Sequence, residues 1–239
     1  MTENAPTTPP APTAATAAET TGTAPAAGED RILRRARRNP GTDIALIAVF
    51  AALIAVCAIL PAIYVGPVPF TLQTFAVVLT GMVLGTRRGF LAALLYLAVG
   101  AIGLPVFAGG AAGLAPFAGP TVGYLISFPF AAAATGFIVE RIPRRGVFAT
   151  GLLIFLAGLV GSPLINHGLG ILGLAWRGGM TLGQATLADL VFVPADLVKV
   201  LLAAIVATAV HRAFPGLLPY RGGRAAARTE APAAEAAGA

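Results

Sequence analysis

The sequence predicts an all-α membrane protein of six transmembrane helices with both termini on the cytoplasmic side. Three observations carry this. The 239 residues are 57% hydrophobic and only 11% charged, with a mean hydropathy of +0.83, whereas a soluble domain carries about 25% charged residues. The apolar residues fall into separate blocks between Asp43 and Arg212, and six spans of about 20 residues use most of that length. Fourteen of the sixteen Lys and Arg residues lie before the first block, after the last, or in every second connection. That alternation is the positive-inside pattern, and it keeps both termini inside.

Residues 1–30 are Ala, Thr and Pro with a few acids. They lack apolar periodicity, so 1–42 is expected to be a disordered tail ending in a basic juxtamembrane run, Arg31 to Arg38, among anionic headgroups. It does not read as a secretory signal, because no basic segment precedes an uninterrupted apolar core. The membrane domain is expected over 43–212, and 213–239 as a second disordered tail. Block one is Ile44 to Ile63. Its small residues recur four apart, Ala48 with Ala52 and Ala51 with Ala55, a spacing that admits a partner helix at close range.

Gly66-Pro67-Val68-Pro69 is a short uncharged connection. Block two, Phe70 to Leu84, carries Thr71, Gln73 and Thr74 at its outer end. Those polar groups either line a cavity, since lipid does not solvate them, or Thr71 and Thr74 cap the helix start. Thr86-Arg87-Arg88 is an inside turn, and block three runs from Gly89 to Leu104. The connection Pro105 to Pro120 is uncharged and Gly-rich, with Gly109, Gly110, Gly113 and Gly119. An apolar loop of that kind is expected to fold onto the membrane body as a lid or re-entrant segment, or simply to pack against the helix ends.

Block four, Thr121 to Val139, has Tyr124 one turn in, as an interface anchor or a pocket wall. Block five, Val147 to Ile165, is expected to end at Asn166-His167-Gly168, with His167 a polar helix terminus. Gly168 to Thr186 reads as a second outer connection bearing Trp176 and Arg177. Block six begins at Leu187, but Pro194 is a good first-turn residue and a poor interior one. The main helix is therefore placed from Pro194 to His211, about 27 Å long. Asp196 and Lys199 then lie in its first turns, three apart and on one face, near the outer surface. Charge inside a bilayer costs roughly 2.5–3.5 kcal/mol per residue on insertion scales, so such a pair is a functional candidate, the alternative being a self-neutralising structural pair that pins the helix to a neighbour. Asp189, beyond the break, is expected to be solvated or capping.

Other chemistry is excluded by pattern. The pI of 10.4 reflects the inside turns and not a nucleic-acid surface. The single Cys57 permits no intramolecular disulfide, and no Cys/His cluster has metal-ligand spacing. No G-x-x-x-x-G-K-[ST] motif occurs. Ser162 precedes Pro163 without a nucleophile elbow, so a Ser162–His167 protease is rejected. The chain is not read as an enzyme. It reads as a capture or transport component with no engine of its own.

Three stretches together resemble one family. They are Pro67-Val68-Pro69-Phe70-Thr71-Leu72-Gln73-Thr74 with Leu84 to Gly89, Gly103 to Gly110 with Gly119 to Tyr124, and Pro194-Ala195-Asp196-Leu197-Val198-Lys199. Over roughly 44–212 their order and spacing are similar to the biotin-specific membrane component (BioY) of energy-coupling-factor vitamin transporters. Two positions depart from the pattern: Ala195 stands where Gly is expected and Val122 where a Gly pair is usual, each adding a side chain near the expected site. The resemblance implies biotin capture from outside through a multi-pass protein of the cell membrane, with no cofactor or metal and outer loops capping the pocket. It implies that Asp196 and Lys199 contact ligand, with Phe107, Tyr124 and Trp176 as apolar walls. Gln73, Thr121 and the Gly109-Gly110 backbone would complete the polar contacts. The Ala48, Ala51, Ala52 and Ala55 face resembles the surface that docks on a transmembrane coupling subunit joined to ATPases. The alternatives are a proton-coupled secondary transporter, with Asp196 or Asp189 cycling its proton, and a component for another small vitamin.

Overall fold

The computed structural model describes residues 40–65, 68–143 and 146–218. The two expected tails, apart from 40–42 and 213–218, lie outside the described residues, as do the basic run Arg31–Arg38 and Arg144-Arg145.

Helix α1 spans Pro40–Ile59 and stops two residues before Pro61, which has no N–H to extend it. Two three-residue strands come next, β1 (Ile63–Val65) and β2 (Val68–Phe70). They pair antiparallel, with Ile63 opposite Phe70 and Val65 opposite Val68. This hairpin was not expected, because three residues are too few to show a period-2 pattern.

Helix α2, Gln73–Ala101, is helical throughout except at Gly85, where φ is 80° and ψ is −171°. Only glycine adopts that conformation readily, and here it reverses the chain. The Gln73 amide donates to the Tyr96 hydroxyl at 2.6 Å, although 23 residues of straight helix would hold them about 35 Å apart. A Cβ on Gly89 would lie 3.2 Å from the Gly81 Cα. Both pairs centre on Gly85, so limbs 73–84 and 86–101 lie side by side. Glu140, at the end of the fourth helix, receives the Thr86 N–H at 2.9 Å and the Thr86 hydroxyl at 3.1 Å. It thereby caps the second limb at its start.

The Gly-rich connection carries a 3₁₀ turn, Ala108–Gly110, and a one-turn helix α3, Ala115–Ala118. Phe107 anchors it: the ring is buried and meets Tyr96 and Phe117 edge-on at 5.5 and 5.6 Å. Helix α4 is Val122–Val139. Helix α5, Val147–Leu159, runs into a π-helical segment, Val160–Asn166, and then into α6, His167–Arg177.

This corrects the expected end of block five at Asn166-His167-Gly168. The helix continues through Arg177 for 31 residues, and Pro163 is accommodated by the wider π turn rather than by a break. Most of the second outer connection is therefore helical. Helix α7, Leu182–Leu190, opens with a capping box between Thr181 and Gln184. Helix α8, Val193–Ala213, has Pro194 in its first turn, as the sequence predicts. Residues 214–218 fold back on the body: Leu218 is buried and the Leu217 carbonyl accepts from Arg88 at 3.1 Å. The C-terminal tail expected from 213 therefore does not begin before 219.

Five of these helices are long and apolar enough to cross a membrane: Pro40–Ile59, Gln73–Ala101, Val122–Val139, Val147–Arg177 and Val193–Ala213. Their contacts are made by small residues, among them Ala76, Ala93, Ala131, Ala132, Ala203 and Ala207, all fully buried. Small side chains let backbones approach where lipid supplies no hydrophobic drive between helices. At Gly81 an added Cβ would meet the Ala132 carbonyl at 2.3 Å.

The four alanines of α1 divide between its faces. Ala51 is buried and Ala55 half-buried, both against α2, whereas Ala48 and Ala52 are exposed. The second pair is the one fully open to a partner helix.

Candidate functional site

The starts of α2, α4 and α8 and the junction between the π segment and α6 surround a cavity of ≈ 350 Å³. Strand β2 supplies one wall through Val68, Pro69 and Phe70. The Gly-rich connection supplies another through Phe107, Ala108, Ala111, Ala115 and Pro116. The size falls in the usual range for small-molecule pockets, about 300–1,000 Å³. Apolar side chains make most of the lining, with a few convergent polar groups.

Those polar groups form one network. Asp196 and Lys199, 3% and 6% exposed, sit in the first two turns of α8. The Lys199 ammonium donates to Asp196 Oδ1 at 2.7 Å and to the Thr71 carbonyl at 2.7 Å. A longer contact reaches the Thr74 hydroxyl at 3.4 Å, and the ammonium lies 3.8 Å over the Phe70 ring. The aromatic face adds a cation–π attraction that strengthens in a dry site. Phe70 is itself stacked on Phe192 at 6.1 Å. All three ammonium protons thus have acceptors, and the weakest contact, to Thr74, is the one a ligand can most easily replace.

The second Asp196 oxygen faces His167 Nε2 at 3.0 Å. On its other side His167 Nδ1 lies 2.8 and 2.9 Å from the two oxygens of Asp189. The Tyr124 hydroxyl donates to Asp189 at 2.6 Å. Two carboxylates, an ammonium, an imidazole and a phenol are held in one chain, each with a partner, as burial demands.

Two glycines allow Tyr124 to reach Asp189. A Cβ on Gly123 would strike the Leu169 carbonyl at 2.0 Å, and one on Gly170 would strike the Tyr124 ring at 2.1 Å. The start of α4 therefore lies directly on α6, with the tyrosine ring filling the space over Gly170.

The π segment sets the other half. One extra residue in its turn rotates the downstream residues by roughly 100° relative to a regular α-helix. Asn166 and His167 sit at the end of that segment and face the cavity.

Residues 32–216 match the model of the BioY family. The chain belongs to the BioY family. The protein named biotin transporter BioY in Rhizobium etli is 41% identical over 185 residues, which cover 75% of this chain and 97% of that one. Its namesake in Rhodobacter capsulatus is 44% identical over 191 residues, covering 75% and 98%. A solved structure described as the S-component for biotin from an ECF-type ABC transporter superposes with a TM-score of 0.65 at 28% identity. It covers 72% of this chain and 92% of that one. This is a family of transport proteins, not of enzymes.

Within this BioY-family fold, six of the nine expected ligand residues line the cavity: Asp196, Lys199, Tyr124, Gln73, Phe107 and Thr121. Three do not. Trp176 is 72% exposed near the end of α6, with the Arg177 guanidinium 4.6 Å from its ring. The continuous helix carries it past the cavity. Gly109 and Gly110 are exposed, with φ of 67° and 77°; they turn the loop while their neighbours Ala108 and Ala111 border the cavity. The two family departures are also displaced, since neither Val122 nor Ala195 lines the cavity.

Asp189 corrects the expectation of a solvated or capping residue: it is 2% exposed and bonded to two side chains. His167 likewise is no terminus. Thr71, Thr74, Leu125, Phe128, Asn166, His167 and Phe192 complete the lining. An available signal was the Asn-His pair inside a long apolar run, where ionisable residues are functional by default. Thr71 serves both roles weighed for it, since its hydroxyl accepts the Gln73 N–H at 3.2 Å and its carbonyl holds Lys199.

Proposed function

We propose that this chain captures biotin at the outer face of the cell membrane and relies on separate ATPase and transmembrane coupling subunits for uptake. The observation that carries this is the Asp196–Lys199 pair opening on a mostly apolar cavity, in a chain of the BioY family. Biotin presents a fused apolar ring system, a ureido group with two N–H donors and one carbonyl, and a carboxylate. Asp196 suits an N–H. Lys199 suits the carbonyl or the carboxylate, exchanging its Thr74 contact for a stronger one. Phe107, Phe128 and Tyr124 suit the rings.

The reversal at Gly85 turns five membrane-length helices into six crossings, with the outer loops over the pocket. An even number puts both termini on one side. Arg88 supports this, because it bonds both Asp43 at the start of α1 and Leu217 beyond the end of α8. The basic turns make that side cytoplasmic, and the cavity then faces out. The exposed Ala48–Ala52 strip is the part of α1 open to a coupling subunit.

A second reading, a proton-coupled carrier, draws on the Asp189–His167–Asp196 chain. Tritiated biotin binding to the purified protein, followed by uptake into vesicles holding this chain alone, separates the two. Capture predicts saturable binding and no accumulation under a pH gradient. Accumulation driven by the gradient would favour the carrier. No binding at all would reject biotin, and competition by another vitamin would redirect the assignment.

A further inference from the structure

Ser127, on α4, lies 2.6 Å from two oxygens, the Tyr124 carbonyl and the atom of Asn166 placed as Oδ1. A serine hydroxyl carries one proton. It satisfies one of these contacts and leaves two lone-pair oxygens facing each other across the other. A helical serine commonly returns its proton to a carbonyl one turn back, and the Tyr124 carbonyl has no donor capacity. The conflict disappears if the Asn166 amide is turned by 180°, since the two ends of an amide are told apart only by their hydrogen bonds. Ser127 then donates to Tyr124 and accepts from Asn166 Nδ2. Asn166 is 3% exposed and lines the cavity, and its side chain makes no other hydrogen bond among the described residues.

We propose that Asn166 presents its carbonyl oxygen to the cavity and accepts one N–H of the ligand, making it a specificity residue alongside Asp196. This rests on the biotin reading, which supplies two ureido N–H groups on the two edges of one ring. One acceptor from α8 and one from the π segment could hold both. The π turn gives the geometry a reason, because a regular helix would rotate Asn166 off the cavity face. A buried acceptor left without its donor rejects a ligand that lacks the N–H.

The test is equilibrium binding of biotin, its two mono-N-methyl ureido isomers and its methyl ester. The proteins are wild type, Asn166→Leu and Asn166→Asp. Wild type should bind biotin more tightly than either N-methyl isomer. Asn166→Leu should lose about tenfold for biotin and lose discrimination against one N-methyl isomer only. Asn166→Asp, which keeps an acceptor, should still discriminate against that isomer, and it serves as the decisive variant if the leucine variant does not fold. Unchanged affinity in Asn166→Leu, or lost discrimination against that isomer in Asn166→Asp, would overturn the proposal. So would a leucine variant that loses discrimination against the methyl ester instead, because the amide would then be donating. Failure of wild type to bind biotin would be a different result, rejecting the functional reading itself.

Discussion

The two ends of the helix body both hold charged groups, buried at one end and half-buried at the other, and use them differently. At one end Asp196, Lys199, His167 and Asp189 are bonded to one another beside a cavity. At the other, Glu140 holds the start of the second α2 limb and Arg88 holds α1 and the C-terminal turn, and neither of these two lines the cavity. Ionisation alone therefore does not mark a site here. What distinguishes the first end is that its network borders empty space, so a ligand can trade for its weaker contacts. The second end uses its polar groups to tie backbone and helix ends together, through the Thr86 N–H, the Leu217 carbonyl and the Asp43 carboxylate.

Substitutions at the two ends should separate stability from binding. Lys199→Met removes the cation between Asp196 and the Thr71 carbonyl and leaves a buried carboxylate. The loss should be about 3–5 kcal/mol of stability, read as a large drop in detergent-solubilised Tm, together with loss of biotin binding. Gly85→Ala acts at the other end. It forces a side chain into glycine-only backbone space at a cost of order 1–3 kcal/mol, with a Cβ 2.4 Å from Glu140 Oε1. The Tm should fall while the folded fraction keeps its Kd within about twofold, inside the scatter of a surface change. Glu140→Gln should cost about 0.5–2 kcal/mol, the worth of a helix cap, again without a change in Kd. Trp176→Ala should change the biotin Kd by less than about twofold, as expected for a side chain that only brushes solvent or headgroups. A larger effect there would mean that the ligand extends beyond the cavity lining.

The sequence made the spans legible because bilayer thickness and charge asymmetry act on long stretches. It also exposed Asp196 and Lys199, since two charges in an apolar run are costly enough to stand out. Pro194 was readable as a helix start because its ring dictates the local backbone. The same local reasoning failed at Asn166-His167-Gly168. Polar residues and glycine there resemble a helix end, but the π turn and the Asp189–Asp196 clasp keep the helix going. With that boundary misplaced, Trp176 became a loop aromatic within reach of the pocket, and Asp189 lost the partners that only tertiary packing provides. The split of the α1 alanines was hidden for a related reason: four-residue spacing reports two faces without saying which one the bundle covers.

The most direct test is a calorimetric titration of purified wild type and Asp196→Asn with biotin, each first checked for a cooperative thermal melt. Truncating one member of a buried charge pair costs about 2–5 kcal/mol of binding. Wild type should therefore saturate, and the variant should weaken by at least about 30-fold. A folded variant that binds as tightly as wild type, or a folded wild type that gives no saturable heat, would contradict the account.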